Sequence, residues 1–307
     1  MDQPHALLTG GAGTLARDLQ PALLAAGWRV STLPRLQLDI TDPRSVTEAL
    51  ESTRPTVVIN TAAWTDVDGA EVHWAQAEQV NAVGPEMVAR GCASKGLPMV
   101  HLSTDYVFGG RGSGSRDHPR RPLREDDPPR PANSYGRSKL DGERRVRDTL
   151  RHDHLIVRTA WLYGAAGPSF PRSILEQAAA GDELSVADDQ IGCPTWSADL
   201  ADAIVALLAV GARGTVHFCA ADSCSWFELA GAVCEGARAR GRALTARSIR
   251  PTASRVGPGL ALRPRWSALD TARYAELSGR TPPTWRDALD RFLDRYLDDL
   301  LPPRANS

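Results

Sequence analysis

The sequence predicts an α/β protein built on a doubly wound parallel sheet, and three observations carry that expectation. Short apolar runs alternate with amphipathic helical stretches through the first half of the chain. A glycine-rich turn lies between the first strand and the first helix. Polar residues gather just past the later strands, where open parallel sheets collect their ligands. At 307 residues, the chain is long enough for one large or two modest domains with a substantial core.

Ala6-Leu7-Leu8-Thr9 reads as the first strand, running into Gly10-Gly11-Ala12-Gly13-Thr14-Leu15-Ala16 and then a helix through about Leu24. Glycines at such a junction let the backbone approach a pyrophosphate, whose charge the helix N-terminus attracts. Gly10 and Gly13 are therefore candidate dinucleotide contacts in a Rossmann-type unit, although an ordinary tight turn produces the same pattern. The second strand spans about 28–33 and is followed by Arg35 and Leu38-Asp39-Ile40. A carboxylate ending this strand would hold the ribose 2′-hydroxyl of NAD, whereas a basic residue accommodates a 2′-phosphate. None ends it and Arg35 lies just beyond, so the reading favours NADPH, with NADH and a merely surface Arg35 as the alternatives. Val57-Val58-Ile59-Asn60 forms the third strand and leads into Thr61-Ala62-Ala63-Trp64, where small side chains leave room for a cofactor ring. A long helix is expected over 73–94 and a buried strand over 98–103. That strand ends in Ser103-Thr104-Asp105-Tyr106-Val107-Phe108, whose polar residues would face the site unless they only cap the strand.

Tyr135-Gly136-Arg137-Ser138-Lys139 comes next, and Lys139 is one of only two lysines, with Lys95. Residues i and i+4 share a helical face, so the phenol and the ammonium would enter one space. A phenol with a pKa near ~10 exchanges protons poorly at neutral pH, and an adjacent ammonium favours the phenolate. The bland alternative is a surface Tyr and Lys on a solvated helix.

Residues 109–134 are rich in arginine and proline, with Arg111, Arg116, Arg120, Arg121, Arg124 and Arg130. Such a connection is a lid, a binding loop or a solvated loop, and one or two of its arginines could meet a phosphate. After Gly164, helical spacing recurs over 168–180, 197–209, 225–240 and 285–300, with a strand over 214–218. The lobes are placed at 1–165 and 166–307, with some later segments rejoining the first sheet.

A formal net charge of −1 supplies no global basic field for nucleic acid. No 20-residue apolar span and no leader-like start is present, so a cytoplasmic protein with no membrane partner is expected. The five cysteines, Cys92, Cys193, Cys219, Cys224 and Cys234, are odd in number and scattered, as small buried thiols are. The seven histidines show no ligand spacing.

Almost the whole chain resembles the extended short-chain dehydrogenase/reductases, and within them is similar to the dTDP-4-dehydrorhamnose reductases and related nucleotide-sugar 4-ketoreductases. The likeness rests on residues 59–68, on Ser103-Thr104-Asp105-Tyr106-Val107-Phe108, and on the helix that runs from Ser134 to Glu143. Residues 158–164, 188–195 and 263–270 carry it further. The resemblance implies a Rossmann-type domain, a smaller C-terminal α/β substrate lobe, and NADPH-dependent reduction of the C4 ketone of a dTDP-4-keto-6-deoxy sugar nucleotide. It implies Thr104, Tyr135 and Lys139 as the catalytic set. Gly13, Thr14, Leu15, Asp39, Ile40, Ala62, Ala63 and Trp64 would line the dinucleotide, with Tyr135 and Lys139 reaching it. Thr104, Asp105, Tyr106 and Trp161 would touch the sugar.

Two departures stand out. Ala16 replaces the last glycine of the turn, and residues 109–134 are longer than the family suggests. Some relatives are Mg²⁺-linked dimers that use glutamates; after Pro194-Thr195 this chain reads Trp196-Ser197-Ala198, so no metal is expected, and a monomer or homodimer stays open. Two other functions remain: an epimerase or dehydratase that holds NAD tightly, and a regulatory subunit on the same scaffold.

Overall fold

The structure is a computed structural model that describes residues 3–109 and 121–301. The first half runs β1 His5–Thr9, α1 Thr14–Ala25, β2 Arg29–Leu33, α2 Pro43–Thr53 and β3 Val57–Asn60. It continues through α3 Gly69–Val72, α4 Trp74–Glu78, a π-turn at Gln79–Val83, α5 Gly84–Lys95 and β4 Met99–Thr104. A 3₁₀ turn at Asp105–Val107 follows, then α6 Ser134–Leu150 and β5 His154–Thr159. The second half comprises β6 Leu162–Tyr163, α7 Phe170–Ala180, β7 Glu183–Ala187, β8 Ile191–Gly192, β9 Thr195–Trp196 and α8 Ser197–Ala209. It ends with β10 Gly214–His217, β11 Cys224–Ser225, α9 Trp226–Ala239, β12 Ser248–Thr252, α10 Ala272–Ser278 and α11 Trp285–Leu300.

Six parallel strands form the main sheet in the order β10-β5-β4-β3-β1-β2. The inner strands β1, β3, β4 and β5 are buried on both faces, which is why they read as largely apolar runs. On one face α1 and α8 pack through Leu19, Leu23, Leu200 and Ile204; on the other, α2 and α5 pack through Val46, Leu50 and Val88. Chain direction across the sheet reverses between β1 and β3, which opens a crevice at their carboxyl ends. β10 enters this sheet from beyond residue 165 by pairing with β5, while α7, α9 and α11 build a separate core around Leu175, Leu229, Val233 and Phe292. Three two-stranded pairs, β12-β7, β11-β8 and β6-β9, complete the second half.

The single helix expected over 73–94 is instead α4, a π-turn and α5. The extra residue of the π-turn aims Asn81 inward, where its side chain takes over backbone groups of a distant loop. All five cysteines are buried free thiols. Among the described residues no helix is long and apolar enough to cross a membrane.

Candidate active site

The glycine turn follows from steric necessity. Gly10 has φ +65°, and a Cβ there would lie 2.8 Å from the backbone of Ala62 on the neighbouring β3 loop. Gly13 caps α1 without a side-chain partner, leaving the first-turn amides of Thr14, Leu15 and Ala16 directed at the crevice. This glycine cradle between β1 and β3 fits a dinucleotide pyrophosphate. The Thr14 hydroxyl donates to the carbonyl of Ala166 at 2.7 Å, tying α1 to the second half of the chain. Ala62, Ala63 and Trp64 line the same crevice, partly exposed. Arg35 is exposed beyond β2 and lies 3.7 Å from Asp39. Asp39 itself accepts from the Thr41 amide and hydroxyl, bonds that hold its carboxyl below the usual range, with Arg35 adding a smaller pull. Ile40 is buried against Gly84 at the start of α5.

At the carboxyl end of β4, Thr104 accepts from the Tyr106 amide at 3.1 Å and donates to Asp105 at 3.1 Å. The same hydroxyl lies close enough to the phenol of Tyr135 to favour its ionised form. Helix α6 delivers that phenol from its first turn, capped by Asn133, which accepts from the Gly136 amide at 2.7 Å. Gly136 is required because a Cβ there would fall on the carbonyl oxygen of Tyr106. One turn later Lys139 is buried, donating to the Leu102 carbonyl of β4 at 2.6 Å.

The electrostatics depart from the sequence reading at Tyr135. Burial raises its phenol to about 12, opposed by the neighbouring Thr104 hydroxyl and reinforced by Asp105, so the expected lowering by Lys139 does not appear. Lys139 is itself lowered to about 8 by burial, which weakens any effect on its neighbour; Glu143, one further turn along, works against that fall. Asp105 is raised to about 6 by burial although it accepts from Ser267 at 2.6 Å. Tyr106 meets Tyr135 edge-on with centroids 5.7 Å apart, and its phenol feels the charge of Arg263, which pairs with Asp68.

The structure therefore brings Thr104, Asp105, Tyr106, Tyr135 and Lys139 together beside Ala62–Trp64, and leaves Arg35 exposed at the β2 edge. Trp161 lies two residues beyond Thr159, which pairs in register with Thr104 across β4 and β5. Arg121 is held by Asp127 at 2.6 Å and Arg124 lies 3.4 Å from Asp270, whereas Arg111, Arg116 and Arg120 fall outside the described residues. Among the described residues no group of three or more His, Cys, Asp or Glu side chains is placed to hold a metal ion.

Sequence reading missed Asn81, fully buried in the π-turn. It accepts from the Trp64 amide at 2.8 Å and donates to the Trp64 carbonyl and the Ser138 hydroxyl, each at 3.0 Å. It thus fixes the β3 loop against the turn of α6 between Tyr135 and Lys139. Glu71 was missed too: its carboxylate accepts from the amide and hydroxyl of Ser134. Neither residue had a sequence signal, because both act through partners distant in the chain. Ser267 had one, since it lies in the 263–270 segment that carried the resemblance.

A switch-point sheet with a glycine cradle, and a tyrosine and lysine one helical turn apart at its strand ends, define a short-chain dehydrogenase/reductase. Within that class the chain belongs to the family described as the RmlD substrate binding domain, whose model matches residues 5–298. It is 43% identical over 292 residues to a dTDP-4-dehydrorhamnose reductase of Streptomyces griseus, covering 94% of this chain and 92% of the relative. It is 41% identical over 278 residues to a dTDP-4-keto-6-deoxy-D-glucose reductase of Streptomyces niveus, covering 90% and 91%. Among solved structures, dTDP-4-dehydrorhamnose reductase of Bacillus anthracis in complex with NADP superposes with a TM-score of 0.87 at 33% identity, over 96% of this chain and 100% of that one.

Proposed function

We propose that this protein reduces the C4 ketone of a dTDP-4-keto-6-deoxyhexose with NADPH. The observation that carries the reading is the placing of Thr104 at the end of β4, the Tyr135 phenol beside it and buried Lys139 bonded to the same strand, at the strand ends facing the glycine cradle. Curated relatives that act on dTDP-4-keto sugars and a solved relative bound to NADP support it.

Bound dinucleotide would supply the hydride; this chain's residues handle binding, orientation and the proton. Gly10, Gly13, Thr14 and Leu15 would receive the pyrophosphate, and Ala62, Ala63 and Trp64 the nicotinamide side. Arg35, Asp39 and Ile40 would flank the adenosine end, with Arg35 beside a 2′-phosphate. Lys139 would hold ribose hydroxyls. Thr104 would hydrogen-bond the ketone oxygen where negative charge develops. Tyr135 would then donate its phenolic proton to that oxygen. A phenol raised to about 12 keeps its proton at neutral pH, and the nascent alkoxide is more basic still, so transfer runs downhill. Asp105, Tyr106 and Trp161 would contact the sugar nucleotide. In this reading residues 1–165 mainly bind the dinucleotide and 166–307 mainly the sugar nucleotide. The enzyme would act in the cytoplasm, as a monomer or homodimer.

The test is incubation with a dTDP-4-keto-6-deoxyhexose and NADPH, following loss of NADPH absorbance and identifying the product. Tyr135→Phe should lower turnover by roughly two to four orders of magnitude with NADPH affinity nearly intact. Near-normal turnover in that variant removes Tyr135 from the proton path. Protein that purifies with tightly bound NAD and consumes no NADPH would favour an epimerase or dehydratase instead.

A further inference from the structure

The indoles of Trp161 and Trp226 are stacked face to face, with centroids 3.5 Å apart and planes 4° from parallel. Trp161 leaves the end of β5 in the main sheet, whereas Trp226 opens α9 in the second half, so the stack joins the two. Three features hold it. Trp226 is placed by a capping box in which Ser225 and Glu228 satisfy each other's amides. Its Nε1 donates to Gln190 Oε1 at 3.0 Å, and Gln190 in turn donates to Ser254 at 2.7 Å. On the Trp161 side, Gly192 leaves space that a side chain would take, since a Cβ there would lie 2.5 Å from the indole.

Trp161 also sits at φ +46°, in the left-handed region that a bulky residue rarely adopts. Such strain persists only where surroundings over-determine the conformation. Here the Trp161 carbonyl accepts from the Thr195 amide at 3.2 Å and the ring is gripped by Trp226. Trp161 also packs against the apolar cluster that contains Val107 and Phe108, just after Thr104 in the chain, and Leu140 of α6, the helix that carries Tyr135. With Trp226 on one face, the indole has only an edge and its remaining surface to offer a ligand.

We propose that Trp226 is a positioning residue for the sugar nucleotide: it fixes the orientation of Trp161, and so the edge which that indole presents at the catalytic cleft. Gln190 sets Trp226 in turn. The inference rests on the functional reading above, in which Trp161 contacts substrate. Trp226 touches neither the reacting atoms nor the dinucleotide crevice, so its effect falls on sugar-nucleotide affinity.

The experiment is steady-state kinetics on Trp226→Ala and Trp226→Phe with a dTDP-4-keto-6-deoxyhexose and NADPH, alongside far-ultraviolet circular dichroism. Stacked indoles give an exciton couplet, which Trp226→Ala should abolish. The sugar-nucleotide KM should rise about three- to tenfold in that variant, the fold-change expected for losing one aromatic pair. Its kcat and NADPH KM should stay close to wild type, and Trp226→Phe, which keeps a flat face, should recover most of the sugar-nucleotide KM. A lost couplet with an unchanged sugar-nucleotide KM overturns the proposal, as does an equal rise in both KM values. If Trp226→Ala does not fold, Gln190→Met removes the acceptor of the indole N–H, together with the bond to Ser254, and the same KM split decides. Wild-type protein that reduces no such sugar sinks both readings; active wild type with indifferent variants sinks only this one.

Discussion

Burial acts on Tyr135 and Lys139 in opposite directions: it pushes the phenol up to about 12 and the ammonium down to about 8. The groups facing Lys139 set how far it falls. Glu143 on α6 supports the ammonium, while His101 on β4, pushed well below its usual range by burial and by Lys139 itself, stays neutral and adds no charge. A lysine lowered to about 8 is mostly an ammonium at pH 7 and mostly a neutral amine at pH 9. The affinity of the free enzyme for NADPH should therefore weaken as pH rises through about 8, and a dissociation constant titrated from pH 6.5 to 9.5 checks it. A flat profile would show that the ammonium is not what holds the dinucleotide. The Tyr-Lys pair was legible from the chain alone because i,i+4 spacing is local; the direction of the phenol's shift was not, because desolvation depends on what β4 and the 3₁₀ turn place around the ring.

Helix α6 can present Tyr135 only because its first turn presses against the 3₁₀ turn after β4. Gly136→Ala would place a methyl group on the Tyr106 carbonyl, forcing the two elements apart. A displacement of about 1 Å at reacting groups costs on the order of 10²-fold in rate, so this variant should lose that much kcat while remaining folded. Activity measured beside a thermal melt separates the two effects, and near-full activity would refute the close packing. Most elements were readable in the sequence: α8 and α11 occupy the expected spans, and β3 does too. The helix over 73–94 was not, since apolar periodicity carries no trace of a π-turn whose purpose is to aim Asn81 at Trp64 and Ser138. The Trp161–Trp226 stack was equally hidden, its partners lying in separate halves of the chain.

Across the whole molecule, a buried ionic chain joins helix α6 to the segment that returns from the second half. Glu143 on α6 accepts from Arg158 on β5 at 2.8 and 2.7 Å, both residues nearly inaccessible. Arg158 approaches His217 on β10 at 3.3 Å, and the His217 amide donates to Glu125 at 2.8 Å. Burial and the Arg158 charge lower His217 to about 3, so it is neutral and leaves the guanidinium unopposed. Removing the carboxylate strands that guanidinium. Glu143→Ala should lose roughly 3–5 kcal/mol in urea unfolding, and adding Arg158→Met should restore part of the loss. Unchanged stability in the single variant would mean that the pair is bystander chemistry. The burial of Lys139 also has a practical consequence. Of the two lysine side chains, only that of Lys95 is substantially open to solvent, and it projects from the end of α5. Among side chains, amine-directed dyes should therefore attach at Lys95 and leave Lys139 untouched.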